Sequence, residues 1–129
     1  DGFKAVGEGS LGGAGCVERA KLAEDLIRER LKPVWNDILA FRFDIFGISS
    51  LFGNISDGVP ELNEVRFRVA AHCRNREAAR AVCIASGMVY FDRPAGVGGP
   101  RSEIVEALRV YGVPVDRSAV TIETEVVTV

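Results

Sequence analysis

Two stretches of this chain change character at every residue. Phe41, Phe43 and Ile45 alternate with Arg42 and Asp44, and Val65, Phe67, Val69 and Ala71 alternate with Glu64, Arg66, Arg68 and His72. In an extended backbone successive side chains point to opposite faces, so each stretch reads as a strand with one apolar and one charged face. Such strands need something to cover the apolar side while water reaches the other. A loop over residues 47–58, rich in Gly, Ser, Asn and Asp, joins them and makes them natural antiparallel neighbours.

The cover is legible on either side of this pair. Val17, Ala20, Ala23, Ile27, Leu31 and Val34 recur at steps of three and four, the single stripe of an amphipathic helix, with Glu18, Lys21, Asp25, Arg28 and Glu29 on the opposite face. Pro33 is the expected stop, because it has no N–H and disfavours helix at the residue before it. After the second strand, Asn75 reads as an N-cap with Glu77 in the first turn. Ala78, Ala79, Val82, Cys83, Val89 and Tyr90 then supply a second buried stripe. Gly87 costs this helix about 1 kcal/mol relative to Ala, which implies a close approach or a fraying end.

Three further segments complete the order. Residues 3–11, with glycines at 7 and 9, read as a glycine-weakened strand. Residues 102–111 fit a helix through Ile104, Val105, Leu108 and Tyr111, or a strand through Ile104, Glu106, Leu108 and Val110. The strand reading is preferred because it completes the order βαββαβ. Val120, Ile122, Thr124 and Val126 alternate with Thr121, Glu123 and Glu125, which predicts one more strand. The expected fold class is therefore α+β: a two-layer, ferredoxin-like βαββαβ sandwich with an extra strand behind it, two helices on one face of a mostly antiparallel sheet.

A length of 129 residues with 47% hydrophobic and 26% charged side chains suits one domain over residues 1–129 with a real core. The net charge of −2, with no run of like sign, argues against nucleic acid as a partner. No apolar stretch is long enough to span a bilayer, so no membrane is expected. The opening Asp1-Gly2-Phe3 has neither the basic nor the apolar region of a signal peptide, and without an initiator Met the chain is expected to be processed or part of a longer protein. Cys16, Cys73 and Cys83, with no C-x-x-C spacing and a single His72, predict no metal site. They fit a reducing cytoplasm, as small buried hydrophobes.

Two loops are candidates for binding. Residues 94–100 are rich in Gly and Pro. Gly96, Gly98 and Gly99 can bring backbone N–H groups close to an anion, and Arg93 and Arg101 bracket them with positive charge. The spacing matches neither G-x-G-x-x-G nor G-x-x-x-x-G-K-[ST], so no nucleotide cofactor is implied, and a plain connection explains the glycines as well. Ser49 and Ser50, in the loop after a strand, can bind a ligand or cap the backbone, and no His lies nearby in sequence to activate either. Cys16, at a helix N-terminus, is a weaker candidate nucleophile. His72 and Cys73 point to opposite faces and cannot act as a pair. Asp44 and Glu64, on neighbouring strands, could pair as carboxylates, but are rather expected to be solvated or matched with Arg66 and Arg68 across the sheet.

Four blocks, in order, resemble the acyclic terpene utilisation (AtuA-like) family. They are Gly13-Ala14-Gly15-Cys16-Val17-Glu18-Arg19-Ala20-Lys21-Leu22-Ala23, Phe43-Asp44-Ile45-Phe46-Gly47-Ile48-Ser49-Ser50-Leu51-Phe52-Gly53, Glu64-Val65-Arg66-Phe67-Arg68-Val69-Ala70, and Arg93-Pro94-Ala95-Gly96-Val97-Gly98-Gly99. The resemblance implies the C-terminal part of a longer family domain. It also implies a place in the catabolism of acyclic terpenes such as citronellol and geraniol, beside enzymes of CoA thioesters. A small acyl or CoA-type ligand follows as the expected partner, with the rest of a parent chain or a second copy on the open sheet face. The chain departs from the family pattern at Ser49 and Phe52, where an acidic residue and a His are usual, and at Val97, which interrupts the glycines.

Overall fold

A computed structural model describes residues 1–51, 53, 61–92, 96–108 and 110–127. The elements run β1 (Gly2–Gly12), α1 (Cys16–Leu31), a 3₁₀ turn (Lys32–Asp37), β2 (Ile38–Phe46), β3 (Glu64–Cys73), α2 (Arg76–Met88) and β4 (Val97–Ala107), with a short 3₁₀ turn at Arg117–Ala119. The strands form one sheet in the order β2-β3-β1-β4, and every neighbouring pair is antiparallel. This is the ferredoxin-like arrangement expected from the sequence.

The alternation decides which side of the sheet is dry. Ala5 and Leu11 of β1, Val65, Phe67, Val69, Ala71 and Cys73 of β3, and Ile45 of β2 are buried. Against that face α1 sets Ala20, Ala23, Ile27 and Leu31, and α2 sets Ala78, Ala79, Val82 and Ala85. Arg30 reaches Asp92 with both prongs of its guanidinium and so ties the end of α1 to the turn after α2. Glycines 7 and 9 do not merely weaken β1. A Cβ on Gly7 would lie 1.9 Å from Ser86 Oγ of α2, and one on Gly9 would lie 2.7 Å from the Phe67 ring. The helix and the ring occupy the space that side chains there would need.

Several boundaries differ from expectation, each for a local reason. The first helix ends at Leu31 rather than at Val34, and its continuation tightens into a 3₁₀ turn around Pro33, which has no N–H to bond the preceding turn. The second ends at Met88, just after Gly87, and Tyr90 and Phe91 close it with turn hydrogen bonds to Gly87 and Met88. A Cβ on Gly87 would meet no described atom beyond its own helix within 4 Å, so of the two readings offered for it the helix end is the one seen. The Asn75 cap forms as expected, its Oδ1 accepting from the Ala78 N–H at 2.8 Å. Asn75→Ala should therefore cost about 1 kcal/mol, read as a lower urea midpoint with an unchanged slope.

The last two expected strands need larger corrections. Residues 102–111 are extended only as far as Ala107, because Ala107 faces Gly2, where the partner strand begins. In the other direction β4 reaches back to Val97, taking in half of the expected glycine loop. Residues 120–127 form no strand, and every described residue from 110 to 127 is exposed. Among the described residues the sheet therefore has four strands and not five.

Candidate functional site on the open sheet face

The side of the sheet away from the helices is a patterned surface. At one end Asp44 is 2% exposed and accepts from Arg42 Nε at 2.7 Å and from Arg68 Nη2 at 3.0 Å. Arg68 lies opposite Asp44 in register, as expected, and its guanidinium sits 5.1 Å from the centre of the Phe46 ring. Arg66 turns the other way, to Glu8 Oε2 at 2.9 Å and Ser10 Oγ at 3.0 Å on β1, so it does not share in the match expected for Asp44 and Glu64. Loss of water around Asp44 is the largest influence on its carboxyl and pushes its pKa up. The hydrogen bonds and charges of Arg42 and Arg68 together outweigh that push and hold it below the usual value.

Toward the other end the sheet carries small side chains. Ala40, Ala70 and Val6 stand on β2, β3 and β1 among the longer Lys4, Arg42 and His72, and the missing bulk leaves a cavity of about 300 Å³. A second hollow of about 210 Å³, lined by Val6, Glu8, Arg101, Ser102 and Glu103, adjoins it at Val6. Together they make a trough that is apolar over Val6, Ala40 and Ala70, with Lys4, Arg42 and His72 around the larger hollow and Arg101, Glu8 and Glu103 around the smaller. Among the described residues Lys4 and Arg101 have no ion-pair partner. His72 Nε2 is buried without a hydrogen-bond partner.

The residues singled out from the sequence divide. Arg101 faces Glu8 in register and lines the trough. Gly98 and Gly99 are part of β4. One residue of β1, Gly9, is passed by two of β4, Gly99 and Pro100, so the strand bulges there with Gly99 at φ +58°. Gly96, at φ +79°, lies against β1. Its carbonyl accepts from the Gly12 N–H at 2.9 Å, and a Cβ on it would meet Gly12 O at 2.4 Å. The glycines expected to form a loop thus shape a strand and its entry, with Arg101 immediately after the bulge. Arg93 lies outside the described residues.

Ser49 is committed to its own turn: its Oγ accepts from the Ile45 N–H at 3.1 Å while its N–H donates to Ile45 O at 2.9 Å. Ser50 offers its carbonyl to Arg42 Nη2 at 3.3 Å. Neither is brought to the trough. Cys16 is the first residue of α1, 1% exposed, and donates to Leu62 O at 3.1 Å. Burial pushes the thiols of Cys73 and Cys83 up in pKa, with the nearby Cys83 and Asp37 adding to it at Cys73. Among the described residues no three His, Cys, Asp or Glu side chains are grouped to hold a metal ion, and no helix is long and apolar enough to cross a membrane.

The trough itself escaped the sequence reading, which placed binding in loops. Its only trace in sequence is a break in the outward pattern: Ala70 and Ala40 stand where the neighbouring outward positions carry Arg42, Arg68 and His72.

Comparison with known proteins gives one family match: the model of "Acyclic terpene utilisation family protein AtuA" fits residues 1–126. No curated protein matches the chain. Among solved structures there is similarity to one described as an antibiotic biosynthesis monooxygenase of Deinococcus radiodurans. It is 14% identical with a TM-score of 0.43, over 84% of this chain and 97% of that one.

Proposed function

The chain belongs to the acyclic terpene utilisation family AtuA, and from that premise we propose that its open sheet face binds an amphipathic acyl ligand of that catabolism. The carrying observation is the trough: an apolar hollow bounded by Val6, Ala40 and Ala70 that continues, past Val6, to the unpaired guanidinium of Arg101. A branched acyl chain would lie over the small residues, and its carboxylate, or the phosphates of a CoA thioester, would meet Arg101 beside the bulge. The hollow of about 300 Å³ is at the lower end of the usual range for small-molecule sites.

Glu103 stands against this anion, since it lines the same hollow as Arg101. That gives the reading a two-sided test. Arg101→Ala should weaken binding of the carboxylic acids of citronellol and geraniol about tenfold by calorimetry, the loss of one charge-assisted contact. Glu103→Gln should strengthen it several-fold. Affinities unchanged in both variants would remove the binding role. In a longer parent chain, Arg93→Ala combined with Arg101→Ala should weaken CoA thioester binding further. A second reading, an assembly module with no chemistry of its own, is favoured by the apolar residues left exposed beyond β4.

A further inference from the structure

We propose that residues 110–127 of one copy of this chain dock on the open sheet face of a second copy and close its cavity, each copy lending its arm to the other. The arm is unusual for a segment in water. Val110 is 92% exposed, Ile122 80% and Val126 87%. Residues 120–127 alternate apolar and polar residues as a half-buried strand does, yet they join no strand ladder in their own copy. Exposed apolar surface of this extent marks an interaction site.

Three observations make a second copy the occupant. The first is position: the arm leaves from Ala107, opposite Gly2, at the end of the sheet where Lys4 and His72 rim the cavity. An arm that leaves the sheet at that point, with every described residue from 110 to 127 exposed, can reach across a two-fold axis to the matching cavity of a partner, and the exchange closes without leaving a free surface. The second is charge. On the open face Lys4, Arg42, Arg66, Arg68 and Arg101 stand against Glu8, Asp44, Glu64 and Glu103, which leaves a positive excess of one. Between residues 119 and 127 the arm carries Glu123 and Glu125 and no cation. The third is area. Four strands of nine to eleven residues present a face of roughly 500 Å² at the usual strand spacing and rise. With the apolar side chains of an arm added, the contact approaches the roughly 800 Å² per partner of a stable interface.

Closure by the arm deepens the acyl-ligand reading, on which its purpose rests, but the docking does not require that reading. Sedimentation equilibrium of the chain should give a dimer. Ile122→Asp/Val126→Asp should raise its dissociation constant at least about a hundredfold, because two charges would have to enter an apolar contact. The same variant should keep the circular dichroism of the parent, since Ile122 and Val126 are 80% and 87% exposed in their own copy. Carbodiimide coupling of mixed light and heavy isotope copies should join Lys4 of one copy to Glu123 or Glu125 of another. A monomer at all concentrations, a dimer indifferent to the double substitution, or coupling within single copies alone would each overturn the proposal. Titration with the carboxylic acids is read separately, so failure of ligand binding and failure of docking are distinct results.

Discussion

Gly7→Ala should lower the unfolding free energy by about 3 kcal/mol, a large share of the stability of a domain this size. The added methyl would sit 1.9 Å from Ser86 Oγ and 2.5 Å from Ser86 Cβ, closer than any real contact. Rotation of the serine removes only the first clash, and the second is fixed by the backbone of α2. The helix would have to lift from β1, opening the layer in which Val82 and Ala85 are buried. Ser86→Gly removes both clashing atoms at a modest helix-propensity cost. A double-mutant cycle should then show about 2 kcal/mol of coupling between the two positions in denaturant unfolding. Additive effects would show that the close approach of α2 to β1 is not what Gly7 serves.

Asp44→Ala should have an effect of similar size, about 3 kcal/mol, for an electrostatic reason. The substitution leaves Arg68 half-buried with no acceptor for Nη2 and with Nε already lacking one. Removing one partner of a buried charge pair is costly because the remaining charge stays desolvated. The figure is set at the low end because Arg42 is largely in water. A pH dependence follows. The carboxyl of Asp44 titrates below its ordinary 3.8 in the folded protein, so its contribution is complete above that value and is lost as pH falls through the lower folded value. Asp92, held down chiefly by its hydrogen bonds from Arg30, acts in the same direction. In urea unfolding between roughly pH 2 and pH 5, the gap between the parent and Asp44→Asn should shrink toward the acid end. A gap constant over that interval would contradict this account of the pair.

The residues that could be read correctly from sequence were those whose partners lie at a fixed offset along the chain. The alternation of Phe41 to Ile45 and of Val65 to Ala71 gave both strands and their faces, and Asn75 announced its helix. The salt bridge between Asp44 and Arg68 was legible because the two occupy facing registers of adjacent strands. Misreadings arose where a distant element decides. Nothing near Gly98 and Gly99 in sequence says that β1 runs alongside them, and without that partner a bulged strand looks like a loop. The reverse holds for residues 120–127, which have the pattern of a strand but find no ladder in their own copy. The trough was hidden for a related reason: its larger hollow is made by what three strands omit side by side, and Ala40, Ala70 and Val6 are far apart in sequence.

The bulge at Gly99 and Pro100 has a consequence for how such molecules meet. Sheets left open at both margins can add neighbour to neighbour without limit, and that is a route to fibres. Here one margin is kinked, and its proline offers no amide hydrogen at that point. The β2 margin is irregular too, shifting register between Ile38 and Ala40, so neither edge offers a regular row of peptide groups and side-by-side growth is disfavoured at both ends.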